Sequence, residues 1–196
     1  MRCFSGEQVR LWKPDFCRDN FARWIASGEI LRLKRNLYTF PEYLQIADSA
    51  LYFANQIYRP SYISLHTALH IHGVIPEEVV QYTSVSTLKT STFKNAFGSY
   101  TYHHIAVNYM FGYELKQTDG QVPFVIQMAT PEKAIIDLLH LYPEYSKAED
   151  MLNLRLDEDY MESRIDQEKM QDYEKRIHSP ALTKRVNLLR EAYGLL

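Results

Sequence analysis

Trp24-Ile25-Ala26-Ser27-Gly28-Glu29-Ile30-Leu31-Arg32-Leu33-Lys34-Arg35-Asn36-Leu37-Tyr38 decides the fold of the N-terminal part of this chain. Its first half closes a helix and its second half is a tight two-stranded ribbon. Gly28 accepts the left-handed backbone that ends helices. Ile30, Leu33, Leu37 and Phe40 supply two short apolar strands, interleaved with Arg32, Lys34, Arg35, Asn36 and Tyr38. Arg35-Asn36 is the expected turn, because asparagine tolerates positive φ. Upstream, Cys17, Phe21, Trp24 and Ile25 recur at helical spacing, which predicts one buried stripe on a helix that Asp15 caps after Pro14. Lys13, Arg18, Asp19, Ala22 and Arg23 fall away from that stripe. A shorter helix is expected over residues 5–11, with Ser5 as its cap.

Charge singles out the same stretch. Residues 1–40 hold eight bases against four acids, a net of +4 in a chain whose total is −2, so residues 41–196 carry −6. Local positive charge on a helix-plus-hairpin unit is the electrostatic footprint of a DNA-binding winged helix. In that arrangement the second helix of the turn motif enters the major groove and the hairpin tip lies over a phosphate track. Arginine forks onto guanine O6 and N7, and lysine or arginine neutralises phosphates. The candidate DNA contacts are therefore Lys13, Arg18, Arg23, Arg32, Lys34 and Arg35. Few residues precede Ser5, so two readings of the unit stand open. Either it is trimmed of its first helix, or a later helix such as 46–58 completes its core. A solvated basic face on a protein–protein adaptor is the bland alternative.

The composition is that of a folded protein. Of the 196 residues 46% are hydrophobic and 13% aromatic, far from a disordered chain. No stretch approaches the roughly 18 apolar residues of a membrane span, and the N-terminus has no apolar signal core. A cytoplasmic protein is expected. Cys3 and Cys17 read as reduced, structural thiols.

Beyond Pro41 a mixed domain is predicted. Helices are expected over 46–58 and 61–72, the latter ended by Gly73, and strands over 79–86, 98–107 and 122–128. Thr130-Pro131-Glu132 is a helix start with a cap, a proline at the first position and an acid in the first turn. Residues 144–196 read as amphipathic helices, about 147–155, 158–177 and 180–193. Residues 144–175 hold eleven acids against five bases, and Arg176, Lys184, Arg185 and Arg190 follow as a candidate second phosphate-binding stripe. The fold class is thus α+β: a short winged helix over 1–42 and a mixed α/β domain with C-terminal helices over 43–196.

The run from Trp24 to Tyr38 resembles the end of the winged helix in AbiEi-type antitoxins, with Asn36 where that family usually has glycine. Three further stretches follow in the family's order. They are Ser61-Tyr62-Ile63-Ser64-Leu65-His66-Thr67-Ala68-Leu69-His70-Ile71-His72-Gly73, then Phe97-Gly98-Ser99-Tyr100-Thr101-Tyr102-His103-His104-Ile105 with Phe111-Gly112-Tyr113, then Ala129-Thr130-Pro131-Glu132-Lys133-Ala134-Ile135-Ile136-Asp137-Leu138-Leu139. The resemblance implies a transcriptional autorepressor and antitoxin of a type IV toxin–antitoxin (abortive infection) system. Its partners would be operator DNA, with a homodimer on DNA left open, and a nucleotidyltransferase-like toxin that it opposes without a stable complex.

Other chemistries have thinner support. His66 and His70 share a helical face, but no cysteine pair or Glu-x-x spacing completes a zinc set with them or with His72, His103 and His104. Gly98-Ser99 lacks the downstream acids that a nucleotidyltransferase needs for magnesium. Glu114-Leu115-Lys116 has the Glu-x-Lys spacing of a metal-dependent nuclease, with Glu77 or Glu78 as its upstream acid. A non-enzymatic interaction module is the other alternative. The expectation is a non-enzyme with no cofactor and no metal.

Overall fold

The chain opens with a strand. The computed structural model describes residues 1–77 and 79–195. β1 (Cys3–Ser5) leads into α1 (Gly6–Trp12) and α2 (Asp19–Ala26), and then β2 (Leu31–Lys34) and β3 (Leu37–Thr39). The three strands form an antiparallel sheet in the order β1-β3-β2. Ser5 caps α1 reciprocally: its Oγ accepts from the Gln8 amide at 3.3 Å, and Gln8 Oε1 accepts from the Ser5 amide at 2.7 Å. α2 ends in a pair of bonds, Glu29 N–H to the Trp24 carbonyl at 2.9 Å and Gly28 N–H to the Ile25 carbonyl at 3.2 Å. That closure needs the φ of +77° that Gly28 adopts.

The helix expected from Asp15 begins instead at Asp19, with no side-chain cap at Arg18. Phe16 is the reason. Its ring turns in against Phe21 at 4.8 Å and Trp24 at 5.3 Å, a contact the chain makes by looping back through residues 15–18 before the helix starts. Cys17, expected in the buried stripe, is exposed. Phe4, Phe21, Ile30 and Tyr38 form a small core of their own, flanked by Val9, Phe16, Trp24 and Ile25.

The larger part follows a 3-10 turn at Pro41–Gln45. It contains α3 (Ser49–Ile57), β4 (Ser61–Ile63), α4 (Leu65–Ile71), β5 (Tyr82–Ser86), β6 (Ser91–Asn95), β7 (Gly98–His104), β8 (Tyr113–Gln117), β9 (Val125–Ala129) and α5 (Pro131–Leu141). One six-stranded sheet runs β6-β7-β5-β4-β9-β8, with β5/β7 and β4/β9 parallel and the other pairs antiparallel. The 61–72 segment is therefore a strand and then a helix. Ser61, Tyr62 and Ile63 are all buried, and a strand covered on both faces has no alternation to betray it. Strands β6 and β8 lie outside the predicted set, and the strand predicted over 98–107 stops at His104.

α6 (Ala148–Leu152), α7 (Glu158–Ser163), α8 (Gln167–Ile177) and α9 (Pro180–Ala192) follow. The single helix predicted over 158–177 is two, because Asp166 accepts from the Lys169 amide at 2.9 Å and starts α8 afresh. α5 begins as its sequence predicts: Thr130 Oγ1 accepts from the Lys133 amide at 3.3 Å with Pro131 at the first position. Every residue from Glu132 to Leu139 is buried, since α5 lies between α4 on one side and α8 and α9 on the other.

Burial of α5 takes two charges inside. Lys133 and Asp137 are 0% and 1% exposed and pair with each other. Tyr62 donates to Asp137 Oδ2 at 2.8 Å and accepts from Lys133 Nζ at 2.8 Å, while Ser64 donates to the same carboxylate oxygen at 2.8 Å. Burial pulls the Lys133 ammonium down from the usual lysine range, against the opposing pull of Asp137. Burial, together with the Asp137 charge, pushes the Tyr62 phenol far up and keeps it a donor. The network fastens α5 to β4 with every member hydrogen-bonded.

The small sheet packs on the larger core, with Cys3 and Leu37 against it and β2 reaching furthest in. Leu33 on β2 is 1% exposed and belongs to the larger core, whereas its neighbour Arg32 faces out. Asn95 Nδ2 donates to the Leu33 carbonyl at 3.0 Å. Arg2 reaches across to the Pro123 carbonyl at 2.6 Å and sits 4.4 Å from the Phe124 ring centroid. Thr39 Oγ1 holds the Arg2 carbonyl at 2.6 Å.

Candidate nucleic-acid interface

A concavity of about 340 Å³ lies between the start of α2 and the β2–β3 hairpin. Its floor is Phe21 stacked on Tyr38, with ring centroids 4.6 Å apart. Its rim is Arg18, Arg32 and Arg35, and Glu7 with Asn36 closes one end. Each arginine comes from a different device: the N-cap of α2, the outward face of β2, and the first turn residue of the hairpin. All three are exposed, and none of their side chains has a hydrogen bond or ion pair among the described residues. Three uncommitted guanidinium groups around one hollow make a fork-shaped donor surface for phosphate or guanine edges.

Asn36 shapes the hollow. It takes φ +61°, the left-handed conformation that the two-residue turn demands. Its Oδ1 accepts from the Gly6 amide at 3.0 Å and its Nδ2 donates to Glu7. The Asn36 bond is the main reason that the Glu7 carboxyl is held below the usual range. The hairpin tip is thus tied to the first turn of α1, and Glu7 is occupied at the edge of the arginine cluster. A contact spanning 29 residues is invisible in sequence, which offers Asn36 only as a turn residue.

The other three candidates lie elsewhere. Arg23 is on the exposed side of α2 and donates to Asn20. Lys13 is the exposed C-cap residue of α1. Lys34 does not join the arginines. A register shift between Arg32 and Lys34 re-aims it, and it lies half-buried near Arg59. Burial first, and then the Arg59 charge, lower its ammonium from the ordinary lysine range.

The C-terminal basic stripe is broken up by packing. Arg176 lies flat 3.8 Å from the Phe111 centroid, Arg185 Nε donates to the Leu139 carbonyl at 2.6 Å, and buried Arg190 pairs with Glu174 at 3.4 Å. Lys184 is exposed and shares none of these commitments. Four of the five candidate histidines are committed to packing and backbone: His72 Nε2 meets the Ala129 carbonyl at 2.8 Å, His104 Nδ1 the Leu88 carbonyl at 3.0 Å, and His66 and His103 flank Tyr142, while His70 is exposed. Among the described residues no three histidine, cysteine or acidic side chains group as metal ligands. Glu114 and Lys116 stand exposed on β8, with Glu114 3.8 Å from Lys169. Glu77 pairs with Arg155 at 2.7 Å, and Glu78 lies outside the described residues.

Among the described residues no helix is long and apolar enough to cross a membrane. The chain matches no protein-family model and no curated protein.

Proposed function

We propose that this chain is a DNA-binding transcriptional autorepressor and the antitoxin of a type IV toxin–antitoxin system. The observation that carries the reading is the convergence of Arg18, Arg32 and Arg35, uncommitted, around one hollow on a unit of net charge +4. The order β1-α1-α2-β2-β3 supports it, since two consecutive helices leading into a two-stranded hairpin are the parts of a winged helix that meet DNA. α2 is then the helix that enters the major groove, with Arg18 and Arg23 towards it. The β2–β3 hairpin is the wing, with Arg32 and Arg35 on neighbouring phosphates. Residues 1–42 bind operator DNA in this reading, and residues 43–196 form the antitoxin domain that opposes a nucleotidyltransferase-like toxin without a stable complex. The antitoxin role rests on the resemblance of the four sequence stretches.

The test is titration of the pure protein with the DNA upstream of its own reading frame, and with scrambled DNA, across a salt series. Specific binding should weaken steeply with salt. Replacing Arg18, Arg32 and Arg35 together by alanine should flatten the slope of log K against log salt by about 0.9 for each phosphate no longer neutralised. For three phosphates, a fourfold rise in salt then costs the variant roughly 40-fold less affinity than it costs the parent chain. All three side chains are exposed, so circular dichroism should be unchanged. An unchanged slope sinks the arginine assignment, and binding no tighter than to scrambled DNA sinks the repressor reading.

A further inference from the structure

The N-terminal unit has a second face, and it is apolar. A groove of about 440 Å³ is floored by Phe4 and Ile30 and walled by Val9, Trp24 and Phe40. Trp12 stands at its lip, 85% exposed, beside Leu11 at 85% and Met1 at 82%. Its lining includes a single charged side chain, Glu29. Large apolar side chains do not stay in water on a folded surface without a partner when they are contiguous.

We propose that this groove is the seat of a second copy of the chain, joined as a two-fold dimer. The patch is self-complementary: it offers a knob, Trp12, next to a hollow of a size to receive one. Under a two-fold axis each Trp12 enters the groove of the other copy, and a single patch serves as both donor and acceptor. The area is sufficient for a reversible dimer. Trp12 alone offers roughly 200 Å², and with Met1, Leu11 and Trp12 each more than four-fifths exposed and Phe40 at 37% the apolar surface around the groove reaches roughly 500 Å² per copy. Two such patches bury roughly 1,000 Å² in total, the threshold for a specific interface.

The position of the groove fits the same arrangement. No side chain lines both the groove and the arginine hollow. On α2, Trp24 faces the groove and Ala22 the hollow, roughly 200° apart around the helix axis. Dimerisation through the groove therefore leaves both basic faces open, as a reader of two half-sites requires. That last step rests on the repressor reading, but the dimer itself does not.

The experiment is sedimentation velocity of the full chain, without DNA, from low to high micromolar concentration. The expected result is a concentration-dependent shift from monomer to dimer. Tryptophan emission should move to the blue over the same range, because Trp12 and Trp24 are the only two tryptophans and both line the groove. Trp12→Glu, at an exposed position that the fold tolerates, should weaken association more than about tenfold by forcing a carboxylate into the interface. Trp12→Phe should keep it. A monomer at every concentration overturns the proposal, and so does a dimer that Trp12→Glu leaves intact. Emission that is already blue at the lowest concentration, with monomer mass throughout, also overturns it, since the chain would then be covering its own groove. A dimer that ignores operator DNA supports this proposal while removing the repressor reading. A monomer that binds operator does the reverse.

Discussion

Removing the Lys133 ammonium should unlock the centre of the larger domain. In Lys133→Met the side-chain volume is kept and the charge is lost. Asp137, 1% exposed, is then left without its cation and with only the Tyr62 and Ser64 hydroxyls, each at 2.8 Å, to hold it. Stranding one member of a buried pair costs about 3–5 kcal/mol. Domains of this kind are stable by roughly 5–15 kcal/mol in all, so the variant should fold but marginally. With a denaturant slope of roughly 2–3 kcal/mol per molar, its urea midpoint should fall by roughly 1–2.5 M. Far-UV circular dichroism across a urea series reads this directly. Adding Asp137→Asn to the same variant removes the stranded charge and keeps an oxygen for both hydroxyls, so most of the loss should return. A single variant that loses less than about 1 kcal/mol would show the pair behaving like a surface salt bridge. A double variant as weak as the single one would show that shape, not charge, is what the position supplies. Either result refutes the reasoning.

Two further outcomes follow from the same geometry. Asn36→Val puts a β-branched residue at φ +61° and removes the bonds to Gly6 and Glu7, so thermal unfolding should report a loss of about 2–3 kcal/mol. Asn36→Gly keeps the backbone conformation and should lose about half as much; equal losses would mean that φ is not what the position selects. Burial lowers the pKa values of His66, His72, His103 and His140 from the ordinary histidine value. Their folded pKa values lie below the unfolded value of about 6.5, so the stability they contribute is complete above it and lost as pH falls below it. The melting temperature should therefore drop between about pH 7.5 and pH 5.5, and His72→Gln should flatten part of that drop; an equal slope in the variant would clear His72 of the effect.

What the sequence discloses is local. Gly28 and Asn36 announce their backbone conformations, and both sit in the left-handed region. Ser5 and Thr130 cap the helices that their side chains suggest. Spacing alone misleads where tertiary packing chooses among equivalents. Phe16 and Cys17 compete for one place in the small core, and the larger ring wins by contact with Phe21 and Trp24. Tyr62 reads as a helix residue because burial on both sides hides the two-residue period of β4. Charge content is legible, but charge commitment is not. Arg176, Arg185 and Arg190 look like Arg18, Arg32 and Arg35 in one dimension, yet the first three are engaged by Phe111, Leu139 and Glu174. The Trp12 groove has no sequence signature, because exposure of an apolar residue depends on what fails to cover it.

Leu33 and Arg32 are neighbours on one short strand, one anchored in the larger core and the other at the rim of the basic hollow. Adjacent peptide units cannot rotate independently within a paired strand. The basic unit is therefore not a tethered head searching at the end of a linker; it is an outcrop packed on the larger body. If, as proposed, the chain grips a double helix by that outcrop, the grip would also fix the bearing of everything behind it. The acidic helices and the six-stranded sheet would stand at one set angle to the DNA axis. Changing residues at the Leu33 seam would then re-aim the body and the Arg32 rim together.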